Sequence, residues 1–182
     1  MKRWALVFLL FCAAISLRAQ VVESASVRPF TVSAGGTGSF FKPGAAGGNY
    51  LIGGGTYADF RFSQWVQIEG EARWLRFGDL DGEEQSHYLI GPKIPLHQFG
   101  RAGLYGKAMI GLGRMTLPQP GFEAKCTCTT LSFGGGLDYK LSRKLTLRAV
   151  DFEYQHWFWP DSVVDETIHP YGVSVGMAYR VF

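Results

Sequence analysis

From Thr31 onward, apolar and polar residues alternate with a period of two, and no stretch sustains the 3.6-residue period of an amphipathic helix. Val66, Ile68, Gly70, Ala72 and Trp74 oppose Gln67, Glu69, Glu71 and Arg73. Tyr171, Val173, Val175, Met177, Tyr179 and Val181 oppose Gly172, Ser174, Gly176, Ala178 and Arg180, and Leu131, Phe133, Leu137 and Tyr139 oppose Ser132, Gly134, Gly136, Asp138 and Lys140. Side chains on a strand point alternately to the two faces of the sheet, so such a chain folds into sheet with one greasy and one polar surface. The pattern predicts eight strands, near 31–41, 49–62, 66–77, 86–96, 101–115, 129–141, 144–156 and 169–182. Connections are short at Ser63 to Trp65, His97 to Phe99 and Ser142 to Arg143, and longer around Lys42 to Gly48, Gly78 to Gln85, Thr116 to Cys128 and Trp157 to Ile168. An even number of strands with short turns on one rim and longer loops on the other predicts an all-β fold, an eight-stranded antiparallel up-and-down transmembrane β-barrel.

Register tests the assignment, because directly paired residues share a face. A turn at Ser63 to Trp65 sets Arg61 against Gln67 and Asp59 against Glu69, polar with polar. A two-residue turn at Ser142 and Arg143 sets Lys140 against Leu145 and Gly134 against Asp151. Pro92 and Pro95 fall inside the fourth strand, where a missing N–H interrupts the ladder, so a bulge is expected there.

Alternation alone permits a soluble, lipocalin-like barrel with its apolar face inward. The polar face decides against it, being crowded with Gly53, Gly55, Gly111, Gly134, Gly136, Ser174 and Gly176, small residues that suit a narrow lumen. Its charges are Asp59, Glu69, Glu71, Asp138, Asp151 and Glu153 against Arg61, Arg73, Lys93, Lys107, Lys140 and Arg180, six of each sign. Equal numbers are what a plugged polar interior requires, since unpaired buried charge is costly. Strand centres on the opposite face are expected to carry no Lys or Arg; Arg76 and Arg148 have lipid-face parity near strand ends, where they can snorkel. Tyr50, Phe60, Phe62, Trp65, Trp74, Phe77, Tyr139, Trp157, Phe158, Trp159 and Tyr171 gather toward strand ends, as in the aromatic girdles of a membrane barrel.

The first 19 residues read as an export signal. Met1, Lys2 and Arg3 precede a 14-residue apolar run, Trp4 to Leu17, with a cleavage site near Ala19. That run is short for a membrane helix, which needs about 18 residues or more. Phe11 before Cys12 argues against a lipid anchor. Residues 20–182 are one domain. The basic excess of +3 resides in Lys2, Arg3 and Arg18, so the mature portion is neutral and has no nucleic-acid footprint. Cys126 and Cys128, one residue apart, make a poor staple and read as an incidental loop pair.

The whole mature sequence resembles the OmpA-like eight-stranded outer membrane β-barrel domain of Gram-negative envelopes. Ser174, Gly176, Tyr179 and Val181, followed by Phe182, resemble that family's C-terminal assembly signal, and Tyr88 to Lys93, with Gly91-Pro92-Lys93, resembles a segment of small bacterial barrels. The resemblance implies recognition by the barrel assembly machinery, residence among outer membrane lipids and lipopolysaccharide, and a monomer, with no periplasmic domain expected. Tyr154-Gln155-His156 is similar to the lipid A deacylases, another family of small outer membrane barrels, whose catalytic His and Ser lie two apart. Here the position two beyond His156 is Phe158, and Ser162 is too distant to serve as the nucleophile. His156 reads as an interfacial residue beside Trp157 and Trp159, and His87, His97 and His169 as loop and rim residues. Glu69 with Glu71, and Asp151 with Glu153, read as charge balance. The expectation is a non-enzymatic envelope protein with no catalytic residue, cofactor or metal, serving envelope integrity or surface interaction through a largely closed lumen.

Overall fold

A computed structural model describes residues 30–44, 50–63, 65–77, 84–119, 122–158 and 168–181; the leader, residues 1–19, lies outside them. Eight strands run β1 Thr31–Lys42, β2 Leu51–Arg61, β3 Gln67–Phe77, β4 Glu84–Phe99, β5 Ala102–Gln119, β6 Phe122–Lys140, β7 Leu145–Phe158 and β8 Tyr171–Arg180. Each pairs antiparallel with its neighbours in sequence, and β1 pairs with β8, closing the barrel. Closure leaves no unpaired edge, which a strand in hydrocarbon requires.

The turns follow local chemistry. At Ser63 the hydroxyl accepts from the Trp65 and Val66 amides, each 3.1 Å away, and Arg61 pairs with Gln67 and Asp59 with Glu69 as the pattern predicts. Ser142 does the same for Lys144 and Leu145 at 3.2 and 3.1 Å. Between β4 and β5, Gly100 has a φ of +59°, a left-handed conformation that a side chain would strain. The proline bulge lies between Pro95 and His97, where the β4–β5 register shifts by one; Pro92 keeps its pairing with Ile68.

Two expectations fail by register. The described residues of the loop expected from Thr116 to Cys128 are strand instead, because the β5–β6 ladder continues through Thr116 with Lys125 to Gln119 with Phe122. Cys126 and Cys128 therefore lie within β6, and Cys128 is disulfide-bonded rather than incidental. At the β6–β7 end, Lys140 pairs with Thr146 rather than Leu145, and Gly134 with Glu153 rather than Asp151. Four residues, not two, separate these strands, and β7 carries one extra residue between Arg148 and Val150. The same shift breaks its pairing with β8 between Arg148 and Asp151. This bulge reverses side-chain direction, so Arg148 points into the lumen, against its expected lipid-face parity.

The outer surface is apolar across the middle: Ile90, Ile110, Leu112, Phe133, Phe152 and Val175 are all exposed, Ile90 at 57%. The inner surface holds Glu69, Arg73, Asp151 and Glu153 at 0%. This inside-out distribution rules out the soluble lipocalin-like alternative and demands lipid around the barrel. Arg114 on β5 also faces outward, level with Ser86 of β4 and toward the long-loop rim. Arg76 is exposed, the extra residue of a bulge against Ile52 and Gly53, and lies 4.0 Å from Glu84. Rings do collect at the rims: Phe30 stacks near Phe60 and Phe62, Phe40 on Tyr50, and Trp74 donates to the Tyr88 hydroxyl at 3.2 Å. Trp157 does not join them. Its odd-numbered place on β7, beside Gln155 and Glu153, turns it inward and buries it completely.

Candidate functional site

The lumen is filled in layers. Toward the long-loop rim, Met115, Cys128, Trp157 and Ile168 form one apolar cluster and Phe41, Leu51 and Leu75 another. Trp157 fits because Gly113 faces it: a methyl group there would lie 2.5 Å from the indole. The indole N–H donates to the Gln155 side-chain oxygen at 2.9 Å, which also accepts from the Gln85 amide at 3.2 Å, so the apolar lid is bonded to the polar layer beneath.

Below the lid, buried charges interlock across the barrel. Lys107 of β5 reaches Asp151 and Glu153 of β7 at 2.7 Å each, and Glu69 and Glu71 of β3 at 3.2 Å each. Arg73 holds Glu71 at 2.6 Å and Glu153 at 2.7 Å, with its guanidinium 4.6 Å from the Phe41 ring centre. Arg148 grips Glu69 through both terminal nitrogens, at 2.5 and 3.2 Å, reaches Asp151 at 3.3 Å, and lies 3.7 Å over the Tyr57 ring. Lys93 approaches Asp138 at 2.9 Å, Glu69 at 3.2 Å and Asp59 at 3.4 Å above the Tyr105 ring. His87 contacts Glu71 through Nε2 at 3.0 Å, and Ser132 donates to Glu153 at 3.2 Å. Each carboxylate thus meets at least one cation, the condition under which charge is tolerated away from water.

Of the charges expected on the polar face, Asp59, Glu69, Glu71, Arg73, Lys93, Lys107, Asp138, Asp151 and Glu153 join this network. Arg61, Lys140 and Arg180 do not reach its centre. They line a cavity of about 170 Å³ at the short-turn mouth together with Gln67, His97, Gln98 and the rim side of Asp59 and Asp138. With its oxygen turned toward Arg61, the Gln67 amide accepts from the guanidinium at 3.1 and 3.3 Å. In the terminal segment Ser174 is buried and bonds Ser39 at 2.9 Å, while Tyr179 and Val181 face outward; Phe182 lies outside the described residues.

Sequence reasoning missed Arg148, His87, Gln85, Gln155, Tyr57, Tyr105 and Trp157. All but Arg148 were marked by parity, since Gln85 and His87 share the face of Lys93, Gln155 and Trp157 that of Glu153, Tyr57 that of Asp59, and Tyr105 that of Lys107. His87 is consequently a fully buried lumen residue rather than a rim histidine. His156 lies on the outer face against Phe158 and His169, not beside Trp157, which points the other way; Trp159 lies outside the described residues. Two carboxylate groupings, Glu71–His87–Glu153 and Glu69–Glu71–Asp151, place ligand-type atoms within 4.8 Å of one another. Arg73, Lys107 and Arg148 already occupy those oxygens, so the arrangement serves to neutralise charge and fill space.

An apolar exterior, closed antiparallel pairing and a packed polar interior define a transmembrane β-barrel of the outer-membrane class. The chain belongs to the outer membrane protein beta-barrel domain family, whose model matches residues 7–180. Its fold is similar to that of Neisserial surface protein A, with a TM-score of 0.65 at 14% identity over 86% of this chain and 99% of that one. It is similar also to the N-terminal β-barrel domain of Pseudomonas aeruginosa OprF, with a TM-score of 0.56 at 11% identity over 84% and 99%. Ail, the attachment invasion locus protein of Yersinia pestis, gives 0.54 at 18% identity over 83% and 97%. No curated protein matches the sequence. The family and these folds point to the bacterial outer membrane.

Proposed function

We propose that this protein is a non-enzymatic, non-conducting outer membrane barrel, serving envelope integrity or surface interaction through its external rim. The observation that supports this reading is the filled lumen: among the described residues, apolar clusters occupy one end and four buried cations are locked among six carboxylates below. A small interior is expected, because eight strands enclose space for side chains and little else. A cavity at the short-turn mouth is lined by Tyr57, Tyr105 and Lys93. The lipid A deacylase reading loses support, since His156 is packed against two aromatic rings and position 158 is Phe, which cannot act as a nucleophile. A surface role agrees with the likeness to Ail, an attachment invasion locus protein by name. The proposal includes outer membrane lipids and lipopolysaccharide as surroundings, export by a leader at residues 1–19, assembly through the segment from Ser174 to Phe182, and a monomeric state.

Planar-bilayer recording of the refolded protein tests the closed lumen. Silent bilayers containing a heat-modifiable, folded species are the expected result. Regular unitary current steps that persist with monodisperse protein would overturn it.

A further inference from the structure

His156 near the end of β7 and His169 just before β8 face each other on the outer surface, their Nδ1 atoms 3.3 Å apart. The backbone makes this approach. The Gln155 amide donates to the Pro170 carbonyl at 2.7 Å and the Trp157 amide to Ile168 at 3.2 Å, so His156 and His169 form the intervening pair without backbone hydrogen bonds. Such pairs bring side chains closest in an antiparallel ladder. Tyr154 stacks on His169 with ring centres 5.7 Å apart, and Phe158 meets His156 edge-on at 4.7 Å. These rings fix the imidazoles without using their nitrogens, and among the described residues each Nδ1 has the other histidine's Nδ1 as its polar contact.

We propose that His156 and His169 are two ligands of an exchangeable site for a late first-row divalent metal ion, of the zinc, nickel or copper class. Zinc binds imidazole nitrogen at about 2.0–2.1 Å, and two such bonds at a tetrahedral angle place the nitrogens about 3.3–3.4 Å apart. The separation of 3.3 Å matches this spacing, whereas a direct hydrogen bond to nitrogen or oxygen would usually be nearer 3.0 Å. The metal adds to the facing lone pairs of two neutral imidazoles, each carrying its proton on Nε2, and water completes the coordination. The buried Glu71–His87–Glu153 group is a poorer candidate because Arg73 and Lys107 already neutralise it. A metal held by this pair also clips β7 to the segment entering β8, where a single isolated bridge, Trp157 with Ile168, continues the sheet.

The test uses the full mature barrel, refolded in detergent without a polyhistidine tag, titrated with ZnCl2 by calorimetry and with CuSO4 by electron paramagnetic resonance. One equivalent should bind saturably, with two nitrogen couplings in the copper spectrum, and zinc should raise the temperature at which the folded band is lost on gels until EDTA is added. Since outer-shell changes alone weaken metal binding by about 10–100-fold, His156→Gln or His169→Gln should weaken it at least tenfold, and His97→Gln should not. Both variants are scored only as folded, heat-modifiable protein, and the copper spectrum of the parent gives an answer should either fail to fold. A copper spectrum without paired nitrogen couplings, or equal zinc affinity in the parent and in the folded His169→Gln variant, would overturn the proposal.

Discussion

Replacing Lys107 with Met removes the cation at the crossing point of four buried carboxylates while keeping a chain of similar length. At an effective dielectric constant of about 20, each unit pair separated by the 2.7 Å seen to Asp151 and Glu153 is worth about 6 kcal/mol before desolvation is counted. Desolvation of the ammonium cancels much of that gain in the parent but returns nothing to carboxylates left behind. The relevant magnitude is that of stripping one partner from a buried pair, about 3–5 kcal/mol. The upper half of that range applies, because only Arg73, Lys93 and Arg148 then remain to face Glu69, Glu71, Asp151 and Glu153 together with Asp59 and Asp138. Reversible urea unfolding in lipid vesicles, followed by tryptophan fluorescence, measures it. Asp151→Asn in the Lys107→Met background removes the matching charge, so the double variant should be more stable than the sum of the single losses by about 0.5–3 kcal/mol. A Lys107→Met barrel within 1 kcal/mol of the parent on the order of experimental error, or simple additivity in the cycle, would refute the claim that the network is electrostatically interlocked.

Other changes separate the layers. Trp157→Ala should cost about 3–5 kcal/mol by emptying the lid, yet leave planar bilayers silent because the charged layer below still closes the lumen; the two readouts are urea unfolding and conductance. Deleting Ala149 removes the extra residue of β7 and turns Arg148 outward, taking from Glu69 the cation that grips it through two nitrogens and leaving it to Lys93 and Lys107, a loss of about 3–5 kcal/mol. Folded, heat-modifiable protein should then be lost, whereas Ala149→Ser should retain it. Gly100→Val forces a β-branched residue into positive φ and should destabilise by about 1–3 kcal/mol. By comparison Arg76→Gln breaks only an exposed pair at 4.0 Å and should change stability by less than about 1 kcal/mol.

Period-two alternation made the strands, their number and the inward face legible, because each is a property of one residue's parity relative to its neighbours. Asp59 with Glu69 and Arg61 with Gln67 could be paired correctly across Ser63 because that turn has the length its residues announce. Extent was less legible. The β5–β6 hairpin runs on through Thr116 to Gln119 and Phe122 to Lys125, where apolar and polar residues do not alternate cleanly and Pro118 reads as a breaker, so backbone pairing holds there without a regular apolar stripe to report it. Rings were misassigned for a related reason: aromatic content near a strand end suggests a girdle, while only parity distinguishes Trp157, turned in toward Gly113, from Phe158, turned out.

Arg148 shows why the centre of the site was harder to read than its surroundings. Alternation assigns a face only while the ladder is uninterrupted, and a one-residue bulge reverses every assignment beyond it. Nothing in Leu147-Arg148-Ala149-Val150 marks the extra residue locally. The information lies across the barrel, in the six central carboxylates, Glu69 and Asp151 among them, which would face only Arg73, Lys93 and Lys107 if Arg148 pointed to lipid. The six carboxylates equal the cations in number only with Arg61, Lys140 and Arg180 included, yet these three line the mouth rather than the centre. Balance by position, rather than by total, therefore requires a further cation near Glu69. Among the basic residues of the neighbouring strands, the bulge in β7 supplies it by re-aiming a side chain that regular pairing would have spent on the membrane surface.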